Sequence, residues 1–229
     1  MTYEDFVEKF DLFNENNAFL EESKSILEDY IYSNRACYFI MLSPIEEDAL
    51  LFYTGATLSR KELSDLAERI TQIYDTYFDE DSMLFLSKMI KESYSFADGL
   101  FLNYEDYVSL KKQKKIYIRM DKGQELVNIE ASKNLYDFDY VLLGRKILFV
   151  TCEDNNIEYK NVDRIYVDIK EIKNYNSWLE FFDHIKMMVM VKDFDVALIN
   201  FGIFTMPLCY FVSQNIHHIA LDYRRKLDV

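Results

Sequence analysis

The clearest alternation of apolar and polar segments lies in the C-terminal third of the chain. Four short segments there are rich in apolar residues, which is typical of strands buried in a sheet. These segments are Lys146–Cys152, Arg164–Ile169, Asp195–Asn200 and His218–Asp222. Two amphipathic segments separate the last three, one behind a capping box at Ser177 and Glu180 and the other over Phe204–Gln214. This alternation predicts a parallel sheet with right-handed crossovers, and it predicts that Trp178 is buried against that sheet.

The N-terminal half of the chain predicts mostly helix. Apolar residues recur there at helical spacing, and a capping box formed by Ser59 and Glu62 opens one of the helices. The predicted helices are 3–13, 17–32, 44–53, 59–77 and 81–96, and Cys37–Leu42 is a predicted strand. Residues 103–140 show little pattern apart from a short predicted strand at 116–120. We therefore expect one α/β domain over residues 1–229, with helices in residues 1–36, a helix-rich N-terminal half and a Rossmann-like, mostly parallel sheet flanked by helices.

Composition and charge narrow the class of protein. Half of the residues are hydrophobic and 16% are aromatic, which excludes a disordered chain. The formal net charge of −14 argues against a partner that is a nucleic acid, because such proteins need a positive surface. A basic run at Lys111–Lys115 fits either a solvated helix end or a patch for phosphates or anionic lipid. Three widely spaced cysteines predict buried thiols, and no segment reads as a signal peptide or a transmembrane span, so we expect a cytoplasmic protein.

The loops after the predicted strands are the expected binding region, because parallel sheets bind ligands beyond the carboxyl ends of their strands. The turn from Asn200 to Pro207 leaves a strand and enters a helix, with Gly202 to permit a positive φ and Thr205 to cap the helix. Backbone N–H groups at such a turn attract phosphate or carboxylate. An ordinary strand-to-helix turn has the same local spacing, so both interpretations stay open.

Acidic residues follow the predicted strand Cys37–Leu42. Glu46, Glu47 and Asp48 are consecutive and offer oxygen ligands for Mg²⁺ or Mn²⁺. Carboxylates are also favoured in the first turn of a helix by the helix dipole, without any metal ion. The three histidines do not have the spacing of a metal site, and no Gly-x-Ser-x-Gly motif indicates a Ser-His-Asp triad.

Two blocks of the sequence resemble the GT-D-type glycosyltransferase-like proteins of bacterial surface-polysaccharide and adhesin glycosylation. Residues 193–209 are similar to the family segment D-F-D-V-A-L-I-G-A-G-A-Y-G-L-P-L-A. Residues 143–150 and 217–221 resemble two of the family's strands, and Glu46 falls on the last residue of its R-F-G-D-G-E motif. The resemblance covers residues 37–55 and 141–223, of which the second part matches better.

The resemblance implies a Rossmann-like fold, a nucleotide-sugar donor and a divalent cation, Mn²⁺ or Mg²⁺, near the carboxylates. On this basis Glu46 and Asp48 are candidate metal ligands. Three residues of the later turn are candidates for binding the phosphate end of the donor: Asn200, Gly202 and Thr205. The implied function is sugar transfer from a nucleotide-sugar donor in surface-glycan or glycoprotein biosynthesis, and no catalytic residue is predicted.

Several positions depart from the family pattern. The family's arginine falls on Met41, and its glycine-aspartate pair falls on Ser43 and Pro44, so the metal-binding aspartate is absent. An arginine clamp on phosphate is hard to replace, and Arg35 and Arg145 are the replacements that we consider. We therefore weigh an active glycosyltransferase against a catalytically inactive relative that binds an active glycosyltransferase or forms a homo-oligomer. We expect weak or absent transfer, and weak donor binding with little metal dependence.

Overall fold

The computed structural model describes residues 3–53, 60–74, 78–111, 124–129, 144–152 and 162–224, and these ranges contain seven strands and seven α-helices. The strands are β1 Cys37–Met41, β2 Gly99–Leu102, β3 Glu125–Asn128, β4 Ile147–Thr151, β5 Val162–Tyr166, β6 Val196–Asn200 and β7 Ile219–Asp222. The helices are α1 Tyr3–Ser33, α2 Pro44–Tyr53, α3 Arg60–Tyr74, α4 Glu80–Ser95, α5 Tyr104–Lys111, α6 Trp178–Met190 and α7 Thr205–Phe211. Short 3₁₀ helices cover Ile169–Asn174 and Gly202–Phe204, and a π-helical turn, Val212–Ile216, continues α7.

The seven strands form one sheet in the order β3-β2-β1-β7-β6-β4-β5, and every neighbouring pair is parallel. All residues of β1, β2, β4, β6 and β7 are buried. Burial on both faces explains why these strands read as continuous apolar segments rather than as alternating ones. The predicted α/β fold with a Rossmann-like parallel sheet is confirmed.

Helices cover both faces of the sheet. A larger core joins one face to α2, α3, α4, α6 and α7, and a smaller core joins the opposite face to α1. Successive side chains of β6 lie on opposite faces of the sheet. Ala197 and Ile199 belong to the larger core, whereas Val196 and Leu198 belong to the smaller one. Across the ranges given above, no helix is both long and apolar enough to span a membrane.

Helix α6 is built as its sequence predicts. The hydroxyl of Ser177 accepts the Glu180 N–H at 3.2 Å, which caps the first turn. Trp178 is 9% exposed in the larger core, and its ring lies 6.1 Å from that of Phe78 and 6.0 Å from that of Phe204, centroid to centroid. The predicted burial of Trp178 is confirmed.

The N-terminal part departs from the prediction in two ways. Helix α1 runs unbroken from Tyr3 to Ser33 instead of forming two helices, because its polar stretch at residues 14–17 contains neither proline nor glycine. It ends where Asn34 adopts a left-handed φ of 52°. Strands β2 and β3 and helix α5 were not predicted. The glycine that begins β2 is typical of a helix end, and α5 and β3 lie within residues 103–140, where the sequence shows little pattern.

Other differences concern element boundaries. Strand β5 begins and ends earlier than the predicted Arg164–Ile169, because Asp168 accepts the Lys170 N–H and caps a 3₁₀ helix there. The predicted strand at 116–120 and the capping residue Ser59 lie outside the described residues. So does most of the basic run, of which only Lys111 is described, as the last residue of α5.

Candidate functional site

The carboxyl ends of all seven strands meet at one edge of the sheet, here called the carboxyl edge. The chain leaves β4 towards β5 on one side and leaves β6 towards β7 on the other, so the strand order reverses between β4 and β6. In open parallel sheets this reversal opens the crevice in which ligands bind. Cys152 follows β4, and its N–H donates to the Asn200 carbonyl at 3.1 Å, which holds the ends of the two strands together.

Glu46 enters this edge from the first turn of α2. Ser43 is the N-cap, Pro44 is the first helical residue, and Glu46 is the third, which is the arrangement of a capping box. The Glu46 Oε2 accepts the Ser43 N–H at 2.7 Å, and the Ser43 hydroxyl accepts the Glu46 N–H at 3.3 Å. The sequence Ser-Pro-Ile-Glu carries this signal, and our sequence analysis missed it. These two hydrogen bonds hold the Glu46 side chain against the start of α2, where it is completely buried.

Arg224 joins Glu46 to the end of β7. Its Nη1 donates to Glu46 Oε2 at 2.9 Å, and its Nε donates to Asp222 Oδ1 at 2.9 Å. Its Nη2 donates to the Met41 carbonyl at 2.6 Å and also to Asp222 Oδ2. Asp222 Oδ2 in turn accepts the Met41 N–H at 2.9 Å. We call Glu46, Asp222 and Arg224 the buried charge cluster; they are 0%, 0% and 8% exposed.

The charges within this cluster do not balance. Two carboxylates face one guanidinium, so the cluster carries one excess negative charge when both acids are ionised. Glu46 Oε1 is buried without a hydrogen-bond partner among the described residues. Burial raises the pKa of the Glu46 carboxyl above its usual 4.5; the guanidinium of Arg224 opposes this rise, and the charge of Asp222 adds to it.

Asp48 is not part of the cluster. Its carboxylate pairs with Arg69 of α3 at 2.8 Å, and its side chain is 43% exposed. Glu46 and Asp48 therefore bind different arginines, as expected for residues two apart on a helix. No group of three or more acidic, histidine or cysteine side chains in the described ranges is arranged to hold a metal ion. A metal role for Glu46 and Asp48 stays a prediction.

The turn after β6 is filled by a tyrosine from α3. Gly202 has a positive φ of 53°, and a Cβ at this position would lie 2.7 Å from the Tyr74 hydroxyl oxygen. That oxygen accepts the Ile203 N–H at 2.8 Å. The glycine thus allows a close approach, as its sequence suggests, and the group that approaches is Tyr74. Burial raises the pKa of Tyr74, while the hydrogen bond from the Ile203 N–H lowers it; the charges of Glu46 and Arg224 also act on this pKa, in opposite directions, so this turn adjoins the buried charge cluster.

The other two candidate phosphate-binding residues are also engaged within the protein. The Thr205 hydroxyl, fully buried, accepts the Phe201 N–H at 2.8 Å and so closes the turn. Asn200 is 4% exposed at the end of β6, and its carbonyl accepts the bond from Cys152 described above. The structure brings Asn200, Gly202 and Thr205 together at the carboxyl edge, and their role in donor binding stays a prediction.

The arginine at the carboxyl edge is not one of those considered from the sequence. Arg145 donates to the Ile31 carbonyl at 2.8 Å and to Asn34, which places it near the amino end of β4. Arg35 precedes β1 at the same amino edge and is exposed. Arg224 instead reaches the carbonyl of Met41, the residue on which the family's arginine falls. The loop 222–224 follows a predicted strand, which is the signal that could have found it.

Comparison with known proteins adds no relative: no family model, no curated protein and no solved structure matches this chain.

Proposed function

We propose that this protein is a glycosyltransferase-like protein of bacterial surface-glycan or glycoprotein biosynthesis, with weak or absent transfer of sugar from a nucleotide-sugar donor. Its location would be the cytoplasm. The proposal is supported by the parallel sheet with a strand reversal at β4 and β6, and by the resemblance of residues 37–55 and 141–223 to that class.

The buried charge cluster carries the second part of the proposal. Transfer from a nucleotide-sugar needs positive charge to stabilise the diphosphate that leaves, usually a divalent cation or an arginine clamp. Arg224 is the arginine that the structure places at the carboxyl edge, where a diphosphate would bind. Its Nε, Nη1 and Nη2 already donate to Asp222, Glu46 and Met41. A guanidinium that is neutralised by two buried carboxylates, and whose three nitrogens already donate hydrogen bonds, stabilises a phosphate only weakly.

The turn after β6 supports the same conclusion. A donor's phosphate would need free backbone N–H groups at this turn. The Ile203 N–H donates to Tyr74, and the Phe201 N–H donates to Thr205. Two of the N–H groups that a diphosphate would use are therefore engaged within the protein, and we expect any donor to bind weakly and with little dependence on Mn²⁺ or Mg²⁺.

A screen of nucleotide-sugars tests this proposal. Thermal unfolding is followed with UDP-, GDP- and CMP-sugars, each with and without Mn²⁺, and hydrolysis of the donor is measured in parallel. A donor present at ten times its Kd stabilises the fold by about 1.4 kcal/mol, so a donor concentration of about 10 mM reveals even a Kd of about 1 mM. We expect at most a small shift that Mn²⁺ does not change. Turnover at rates normal for glycosyltransferases contradicts the proposal.

A second candidate function is that of a binding partner, either for an active glycosyltransferase or for another copy of this chain. One observation favours it: Met187, Met190 and Val191 share a face at the end of α6 and are 58%, 55% and 76% exposed. Self-association is tested by light scattering of the purified wild type and of Met190→Lys. Met188→Lys is not used, because Met188 packs on the core and its replacement would disturb the fold. Co-purification with a co-expressed glycosyltransferase of the same assembly tests the other partner.

A further inference from the structure

The buried charge cluster differs from an ordinary buried ion pair. A structural ion pair sets one carboxylate against one cation and satisfies the remaining oxygens with other donors. Here two fully buried carboxylates share the single guanidinium of Arg224, and Glu46 Oε1 has no partner in the described part of the chain. When both acids are ionised, the cluster keeps one uncompensated negative charge beside an unpaired buried oxygen, and oxygens in this situation suit a more highly charged cation than the one they hold.

The atoms that accept hydrogen bonds from the guanidinium are all oxygens. Glu46 Oε2, the Met41 carbonyl and both carboxylate oxygens of Asp222 lie within hydrogen-bonding distance of Arg224. Two carboxylates and a backbone carbonyl form the ligand type that Mg²⁺ and Mn²⁺ bind. Their charges add to −2, which a divalent cation neutralises and a guanidinium does not.

The local structure holds these oxygens in place without Arg224. The capping box fixes Glu46 through two bonds with Ser43, and the Met41 N–H fixes Asp222 Oδ2 at 2.9 Å. Met41 ends β1, which pairs with β7 in the middle of the sheet. The oxygens therefore belong to the rigid carboxyl edge, whereas Arg224 lies two residues beyond the end of β7.

We propose that Glu46, Asp222 and the Met41 carbonyl form a divalent-cation site at the carboxyl edge, and that the guanidinium of Arg224 occupies this site as a built-in substitute for the metal ion. This set differs from the Glu46–Asp48 pair predicted from the sequence, because Asp222 replaces Asp48. It deepens the proposed function, on which its meaning for donor binding rests: with the guanidinium in the place of the metal ion, Mn²⁺ does not strengthen the binding of a donor. The site itself is tested with Mn²⁺ alone, so its failure is separate from a failure to bind donor.

The experiment removes the guanidinium and supplies Mn²⁺ to the full chain. The variant Arg224→Met keeps the apolar stem of the side chain but removes the guanidinium, which leaves the two carboxylates without a cation. Free Mn²⁺ is measured by electron paramagnetic resonance, and folding is measured by circular dichroism in EDTA and in Mn²⁺. We expect Arg224→Met to bind one Mn²⁺ that wild type does not bind, and to have a higher Tm in Mn²⁺ than in EDTA.

Three further variants locate the ion. Arg224→Met/Glu46→Gln and Arg224→Met/Asp222→Asn each remove one ligand charge, and we expect each to weaken Mn²⁺ binding by at least the roughly 10- to 100-fold typical of substitutions in the outer shell of a metal site. Arg69→Met is the matched control, because Arg69 pairs with a single exposed carboxylate, Asp48, and its loss should create no Mn²⁺ site.

Two results overturn the inference. In the first, folded Arg224→Met binds no more Mn²⁺ than wild type, or it keeps its extra binding in both double variants. In the second, Arg224→Met is unfolded and Mn²⁺ restores no structure, which makes Arg224 a structural residue whose place a metal ion cannot take. Recovery of the folded state in Mn²⁺ but not in EDTA supports the inference even if the metal-free variant does not fold.

Discussion

The contact between Gly202 and Tyr74 leads to a prediction whose size follows from the structure. In Gly202→Ala the new methyl group would lie 2.7 Å from the Tyr74 hydroxyl oxygen, 3.2 Å from Tyr74 Cε1 and 3.3 Å from Ile169 Cδ1. The residue also keeps a φ of 53°, which costs a residue with a Cβ roughly 1–2 kcal/mol. Forcing a methyl group into an occupied space adds about 1–3 kcal/mol. We therefore expect the free energy of unfolding to fall by roughly 2–5 kcal/mol.

Gly144 provides a matched control. It has a φ of 80°, and a Cβ there would meet no atom within 4 Å in the described structure. Gly144→Ala carries the backbone cost and the same change in unfolded-chain entropy, so the difference between the two variants isolates the contact with Tyr74 at about 1–3 kcal/mol. Urea denaturation followed by the fluorescence of Trp178, the single tryptophan of the chain, measures both variants.

A double variant identifies the contact. Gly202→Ala/Tyr74→Phe removes the hydroxyl oxygen that lies closest to the new methyl group, so we expect the two substitutions to be less costly together than the sum of their separate effects. Tyr74→Phe alone leaves the Ile203 N–H without its acceptor, at a cost of about 1–3 kcal/mol. Additive effects, or a Gly202→Ala variant no less stable than Gly144→Ala, would refute the packing described for this turn.

Two further predictions concern the buried charge cluster and the core. Because the folded protein raises the pKa of Glu46, its contribution to stability is complete below the unfolded pKa of about 4.5 and is lost as the pH rises through the folded pKa. In wild type, the free energy of unfolding measured in urea should therefore fall as the pH rises through this range, and in Glu46→Gln this fall should be absent. The same fall with pH in both proteins would argue against the raised pKa of Glu46. Trp178→Ala should cost about 3–5 kcal/mol in the same assay, because the ring is buried in the larger core against Phe78 and Phe204; a loss below 1 kcal/mol would contradict its place in the core.

The fold could be predicted because its strands carry their own signal. The strands β1, β4, β6 and β7 are continuous apolar segments, and burial on both faces of a parallel sheet requires that pattern. Strand β2, Gly99–Leu102, has the same burial, but it begins with a glycine, which after the predicted helix 81–96 is typical of a helix end. Its place beside β1 is decided by tertiary pairing, which no local pattern encodes.

The candidate site was only partly predictable, and the reason is distance along the chain. The carboxyl edge follows from the order of strands and helices, and Glu46, Asn200, Gly202 and Thr205 were found there. Arg224 was missed because its partner Glu46 lies 178 positions away, and a lone arginine after a strand has no spacing to mark it. The role of Tyr74 could not be predicted for the same reason, since its hydroxyl meets Ile203 only in the folded chain.

The central claim is that Arg224 and Tyr74 occupy the positions that a metal ion and a phosphate would otherwise use. Titration calorimetry of wild type and Glu46→Gln with the nucleotide-sugars, each with and without Mn²⁺, tests it most directly. We predict no binding tighter than millimolar for any donor, and no change when Mn²⁺ is added or Glu46 is replaced. Micromolar binding to wild type that requires Mn²⁺ and is abolished in Glu46→Gln would contradict the claim and favour an active, metal-dependent glycosyltransferase instead.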